Sequence, residues 1–530
     1  MRQGLCSAMR VVGFVAAAAV LHGCDDQKAR LLAPTPVVAR KVAVAFLDAA
    51  SGRPIATSLT ATVRDADGEL SRVTRDGSGG AASTFEVTGG VLAFEVADDA
   101  TVPLTLTVVG AASGYDSTSV RVEVTGDGSY DRMARMVNIA NPPEGVVVAQ
   151  ASAGTANAGG VVQGAGMVAT PTEPRSGGSV SFGLPAGTLV TTPSGAPLTG
   201  ALTATVTYFN NSDTTSLAAF PGGLDVIVPV VGAGGTERGA FISGGFAAIE
   251  VRDESGDRAA HFSPPIDLEF AVPAATLNPL TGARVKAGDT IPLWSYDSAM
   301  GLWKNEGDFT IASDGAGGLR VEGALSHLTY VNLDWFQGAN LCPFPSATLE
   351  ISGNSALPLL VVVKGDGYYS EQLVTTSTVA RLNPVMTIPV VINAYYAGHL
   401  VGSVGPFQGL CDQPVPLRVD VSTYVGASCT VRVNRVCTQD ATQRAPVGSA
   451  TVYLLPTTGG SFVGYVAGST NANGEASFDV AAGIEQTVIV QPLSGETQMS
   501  SMLPAAGSNT LDFAYMVDCT ITGGAGGTVP

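Results

Sequence analysis

Few side chains in this 530-residue chain could carry chemistry, and their spacing limits what that chemistry could be. His261, His327 and His399 lie far apart, with no H-E-x-x-H zinc helix, G-x-S-x-G elbow or G-x-x-x-x-G-K-[ST] phosphate loop around them. A Ser-His-Asp triad assembles in space, so abundant serines could pair with any of the three. For His327 the expectation is instead a structural hydrogen bond near Asn332 or Asp334. The reading is therefore no enzyme and no cofactor. Trp294, Trp303 and Trp335, the only tryptophans, fall within 42 residues. They are either an aromatic platform for a sugar ring or a core cluster between sheets, and strand-like surroundings favour the core. Three acidic turns, RDADGE (64–69), GDGSYD (126–131) and RDESGD (252–257), offer oxygens to calcium. None has the spacing of a calcium loop, and hairpins require Asp-Gly turns in any case, so no metal is expected.

Cys342, Cys411, Cys429, Cys437 and Cys519 all lie after residue 340 and lack the paired C-x-x-C spacing of a zinc site. In an oxidising compartment such cysteines make disulfides. Five is odd, so two bridges and one free thiol are expected. Cys342 and Cys411 bracket one block, and Cys519 closes the last block with Cys429 or Cys437. A bridge closing about 70 residues contributes roughly 4 kcal/mol in the chain-entropy account.

The compartment follows from the start of the chain. Arg2 and Arg10 precede an apolar stretch, VVGFVAAAAVL from Val11 to Leu21, and Gly23 stands before Cys24. A basic start, a short apolar run and a small residue make a secretory signal. Eleven residues rise only about 16 Å as a helix, too little for a bilayer core of about 30 Å. Leu21-His22-Gly23-Cys24 resembles the bacterial lipobox, with His22 where a small or hydroxylated residue is usual. The resemblance implies that Cys24 is lipidated and becomes the first residue, with acyl chains that hold the chain to a membrane. Residues 24–40 then read as a tether.

Losing the leader takes the formal net charge from −18 to −20 by removing Arg2 and Arg10. With no Lys/Arg cluster to neutralise phosphates, nucleic acid is excluded as a partner. Period-2 alternation recurs, as in TSVRVEVT, ALTATVTYF and TVRVNRV, with turn pairs Asp127-Gly128, Asp366-Gly367 and Asn473-Gly474 between such runs. No helical stripe is sustained after the leader. The pattern predicts an all-β chain of tandem antiparallel β-sandwiches, Ig-like or transthyretin-like. The blocks are 41–141, a Gly/Ala-rich linker at 142–177, 178–340, 341–422 and 423–519, with a tail at 520–530.

Two stretches carry resemblances. QRAPVGSATVYLL followed by STNANGEASFDV resembles carboxypeptidase regulatory-like (transthyretin-like) modules of bacterial surface proteins, through Pro446, Val447, Ala450, Val452, Thr470, Asn473 and Gly474, with Asn471 in place of the usual Asp. The first block carries a fainter version, SGRPIATSLTATVRDADG. IPLWSYDSAMGLWKNEGDF and SHLTYVNLDW resemble a segment of cartilage intermediate layer protein, with Trp294, Asp297, Gly301, Trp303, Glu306, Gly307, His327, Asn332 and Asp334 in the recurring places. Both families imply extracellular, non-catalytic modules. The sequence thus leads to a membrane-anchored envelope lipoprotein with a structural or adhesive role, and its partner is a protein or glycan. Carbohydrate capture is the alternative, and an envelope hydrolase a distant third.

Overall fold

The alternating segments become strands that pair into eight principal sheets, and the sheets stack in twos. A computed structural model describes residues 37–65, 73–74, 82–172, 177–229, 236–297, 302–328, 330–338, 347–354, 358–374, 378–382, 388–410, 414–457 and 465–517. The leader, Cys24, Cys342, Cys411, Cys519 and most of the 64–69 turn lie outside these. Among the described residues there is one helix, Thr214–Ala218, capped where the Asp213 carboxylate accepts the Ser216 amide at 2.9 Å. No described helix is long and apolar enough to cross a membrane.

In the first sandwich one sheet holds Arg40–Asp48 between Val91–Val96 and Gly128–Met136. The other orders Thr84–Val87, Leu59–Asp65, Leu104–Ala112 and Thr118–Val124. Val42, Val44 and Phe46 alternate inward onto Leu59, Ala61, Leu106 and Val108. The second sandwich is larger. A seven-stranded sheet built on Thr236–Arg252 faces a six-stranded one built on His261–Val272. The third pairs a sheet centred on Ala347–Asn354 with one centred on Leu359–Gly365 and Pro389–Tyr396. The fourth pairs Gly426–Cys437 and its neighbours with Thr451–Pro456 and Gln486–Gln491.

Two features depart from the sequence reading. Residues 142–177 are not a linker: Val146–Ala156 runs along Gly200–Phe209, and Gly166–Ala169 along Ser179–Leu184, so both are strands of the second sandwich. Small residues there serve close packing; a side chain at Gly166 would collide with the Ala153 backbone at 2.4 Å. Nor are the sheets wholly antiparallel. In the first, third and fourth sandwiches the first and last strands lie side by side in parallel, as in Val44↔Arg132, Ile351↔Leu417 and Val431↔Leu511.

The sandwiches are not strung out either. Ala43, Ala45, Leu47, Val91 and Ala93, on the outer face of the first sandwich, bury against Tyr453, Leu455, Ile489 and Leu493 of the fourth. Both strands at this seam are covered on both faces, which is why RKVAVAFLD and TVYLLP read as nearly unbroken apolar runs. The second and third share one core: Phe241, Trp294 and Trp303 belong to the same continuous buried cluster as Leu349, Val361 and Ile392. Leu360 and Tyr395 of the third line a small pocket together with Pro456 and Val480 of the fourth.

Candidate functional site

The four sandwiches close around a cavity of about 800 Å³, and its walls hold charge. From the first sandwich come Arg121 and Glu123 on Thr118–Val124 and Asp131, Arg132 and Arg135 on Gly128–Met136. The second adds Asp225 and Arg238, the third Tyr369, Ser370 and Glu371, the fourth Tyr465 and Gly468. On Thr118–Val124 alternation turns Val122 and Val124 into the core of the first sandwich and leaves Arg121 and Glu123 on the opposite face.

Several of these groups tie the modules to each other. The Arg135 guanidinium donates to both Glu371 oxygens, at 2.8 and 2.9 Å, joining the first sandwich to the third with only 7% and 20% of the two side chains exposed. Tyr369 also donates to Glu371. Burial works against the Glu371 carboxylate, but Arg135 beside it outweighs that and holds its pKa below the usual range. Asp225 is held by the Tyr368 hydroxyl at 2.8 Å and Ser370 Oγ at 2.9 Å. Burial pushes its pKa up to about 7, in spite of those bonds and of Arg238 and Arg121 nearby. Arg238 pairs with Glu123, and their exposures of 52% and 36% place this pair where the cavity meets solvent. The guanidinium of Arg121 is depressed in pKa first by burial and then by the like charge of Arg238.

The residues singled out from the sequence sit elsewhere. Trp294, Trp303 and Trp335 are 7%, 1% and 2% exposed, so they form no platform. Nor are they one cluster. Trp303 packs on Phe220 and Trp294 on Phe241, ring centroids 4.9 Å apart in each case, while Trp335 lies on the opposite face of the seven-stranded sheet. The Trp294 and Trp335 indoles donate to the carbonyls of Asp334 and Thr290. His327 does not bond Asn332 or Asp334; its Nε2 lies 3.1 Å from Glu306 Oε1, which also accepts from Ser295 at 2.7 Å. Asn332 and Asp334 bond each other in the sheet interior, beside the bulge at Ser243/Phe246. Gly301 lies outside the described residues. In the 252–257 turn the Asp253 carboxylate accepts the amides of Ser255 and Asp257, and Asp127 accepts from Arg40, so these oxygens serve the local fold. Asn471 does the same for Asn473 and Glu475, which is why Asn replaces Asp there without loss.

The cysteines separate. Cys437 is disulfide-bonded, to a partner outside the described residues. Cys429 is free, which removes it from the bridging candidates: its thiol faces the apolar core of the fourth sandwich, and burial there, then Asp479, pushes it up to about 11.

Sequence reasoning missed the cavity and the seam. The unbroken run VAVAFL was a readable sign of a strand covered on both faces. Nothing in the spacing of Arg121, Asp225, Glu371 and Tyr465 brings them together; only the packing of four modules does.

Fold and cavity together define a multi-module β-sandwich protein with a charged central chamber. No family model matches the chain, and no curated relative does. Solved structures with some likeness include the minor pilin GBS52 of Streptococcus agalactiae (10% identity, 34% of this chain and 99% of that one, TM-score 0.16). Two B repeat units of the collagen binding protein of Staphylococcus aureus match at 8% identity, over 91% of this chain and 100% of theirs, with TM-score 0.13. The major pilin SpaD of Corynebacterium diphtheriae matches at 7% identity, over 90% and 97%, with TM-score 0.14. Scores this low carry no argument about arrangement or function, and the all-β architecture rests on the chain's own sheets.

Proposed function

We propose that this chain is a non-catalytic, lipid-anchored protein of the cell envelope with a structural or adhesive role. The observation that carries the reading is its build: four β-sandwiches joined by shared cores and a buried ion pair follow a leader that ends Leu21-His22-Gly23-Cys24. Rigid sandwiches present loops at their ends to a partner, while acyl chains on Cys24 hold the body at a membrane. The test compares wild type with Cys24→Ser by membrane fractionation, then treats intact cells with protease and follows the fourth sandwich. Wild type in the membrane fraction, the variant released and the body digested from outside are the expected results. Equal partitioning of the two chains would remove the anchor. Protection until the outer membrane is opened would remove the adhesive role.

Capture of a carbohydrate remains the second reading, with its basis changed. Buried tryptophans cannot stack on a sugar, whereas the chamber has the volume and the polar groups for one.

A further inference from the structure

Cys437 is disulfide-bonded, and strand register narrows which residue holds the other sulfur. Gly426–Cys437, the first strand of the fourth sandwich, runs parallel to Gly507–Val517, its last. In that register Cys437 stands opposite Val517, and the Thr438 amide donates to the Val517 carbonyl at 3.0 Å. Neighbouring strands lie about 4.8 Å apart, and parallel ones finish at the same end of a sheet. Cys519 follows Val517 by two residues, which span at most about 7 Å. Bridged cysteines hold their Cα atoms about 4.4–6.8 Å apart, a separation within that reach.

The other cysteines are placed elsewhere. Cys429 is free and faces the apolar core, where burial keeps it a thiol and so a poor nucleophile. Cys411 directly follows Leu410, which is buried in the core that the second and third sandwiches share. Cys342 falls between Gly338 of the second sandwich and Ala347 of the third. The fourth sandwich meets the third at Val480 and Ala481, beside Gly426. Cys437 is at the other end of that 12-residue strand, about 36 Å away.

The last strand has a reason to be fastened. Among the described residues Gly507–Val517 pairs with Gly426–Cys437 alone. Its Asp512, Ala514 and Met516 are exposed, while Leu511, Phe513 and Tyr515 pack on the core. One ladder and one face hold it. Its departure would bare the edge of Gly426–Cys437 as a template for a strand of another chain.

We propose that Cys519 closes the Cys437 disulfide, so that the last strand of the fourth sandwich is covalently fastened to the first. The bond forms by thiol–disulfide exchange. Both thiols give up their protons and, through a mixed disulfide, pass two electrons to an acceptor disulfide, which becomes a dithiol. Oxidoreductases of oxidising compartments carry such an acceptor. The proposal goes beyond the structural or adhesive role and is independent of the anchor, since Cys24→Ser leaves both sulfurs in place.

Peptide mapping of the full chain, expressed with its own leader and digested without reductant, tests the pairing. A linked pair of peptides carrying Cys437 and Cys519 is expected, lacking the two thiol hydrogens and separating on reduction. Hydrogen exchange then reads the consequence. In Cys519→Ser the amides of Thr510–Met516 are expected to exchange about tenfold faster or more, while those of Thr451–Pro456 stay protected. Linkage of Cys437 to Cys342, to Cys411 or to a second chain would overturn the proposal, as would a free Cys437. Unchanged exchange in the last strand of the variant would overturn the fastening. Should Cys519→Ser fail to fold, the map of the wild-type chain decides the pairing alone.

Discussion

Lys41 lies at the seam between the first and fourth sandwiches, 2% exposed, donating to Thr451 Oγ1 at 2.9 Å and to Ser469. Burial lowers its pKa to about 8, only partly offset by Asp131. A depressed lysine binds fewer protons in the folded chain than in the unfolded one between about pH 8 and its ordinary value of 10.5. Stability from this group therefore rises with pH across that window, and below it the buried charge costs up to about 3 kcal/mol. Lys41→Met removes the group that titrates. Denaturant unfolding of both chains at pH 7.5 and pH 10 is expected to find the variant's stability relative to wild type falling by about 1–3 kcal/mol as pH rises. A difference independent of pH would mean that Lys41 is hydrated at the seam. Nothing in the residue pattern marks this lysine: a charged residue opening a strand reads as solvent-facing until a second sheet is known to cover it.

Hairpins and their turns were legible, because Asp-Gly pairs and period-2 alternation state the local geometry outright. What a turn touches was not. The Asp366-Gly367 turn closes the hairpin of Leu359–Gly365 and Tyr368–Val374, and it also plugs the third sandwich into the second. Ser243 donates its amide to the Gly367 carbonyl at 2.8 Å, and the Gly367 amide donates to Asn211 at 3.1 Å. With φ at 73° and a would-be Cβ 2.5 Å from the Ser243 carbonyl oxygen, only glycine fits. Gly223, at φ 77° with nothing within 4 Å, provides the control. Alanine at Gly223 is expected to cost about 1 kcal/mol for the left-handed backbone, and at Gly367 about 2–4 kcal/mol because the joint must also open. Calorimetric melting of the two variants measures both, and equal losses would mean that the joint yields without strain. The same reasoning explains the misread segment at 142–177: a Gly/Ala-rich composition marks flexibility in a linker and close approach in a sheet, and the two look alike until the neighbouring strand is placed.

At the level of the whole molecule, a string of sandwiches and a closed group of them have the same sequence signature, since each module's inner face alternates in either case. The difference lies in outer faces such as Ala43, Ala45 and Ala93, whose small side chains show little hydrophobic signal yet let two sheets approach. X-ray scattering separates the forms: a compact body of this length has a radius of gyration on the order of 25 Å, and four modules in a line about twice that. The compact value is expected, and Arg135→Ala should raise it by loosening the first sandwich from the third. The seam also changes how distance from the anchor is reckoned. The Val38 amide donates to Ser449 Oγ, so the body's first residues rest on its last module. A fourth sandwich held farthest from the bilayer, as tandem order suggests, is not what this packing gives. If the leader end is tethered, the most C-terminal module stands beside the membrane, and the outermost surface belongs to the middle of the chain. Tension between the two ends would be borne by the seam as a clasp before it reached any single module.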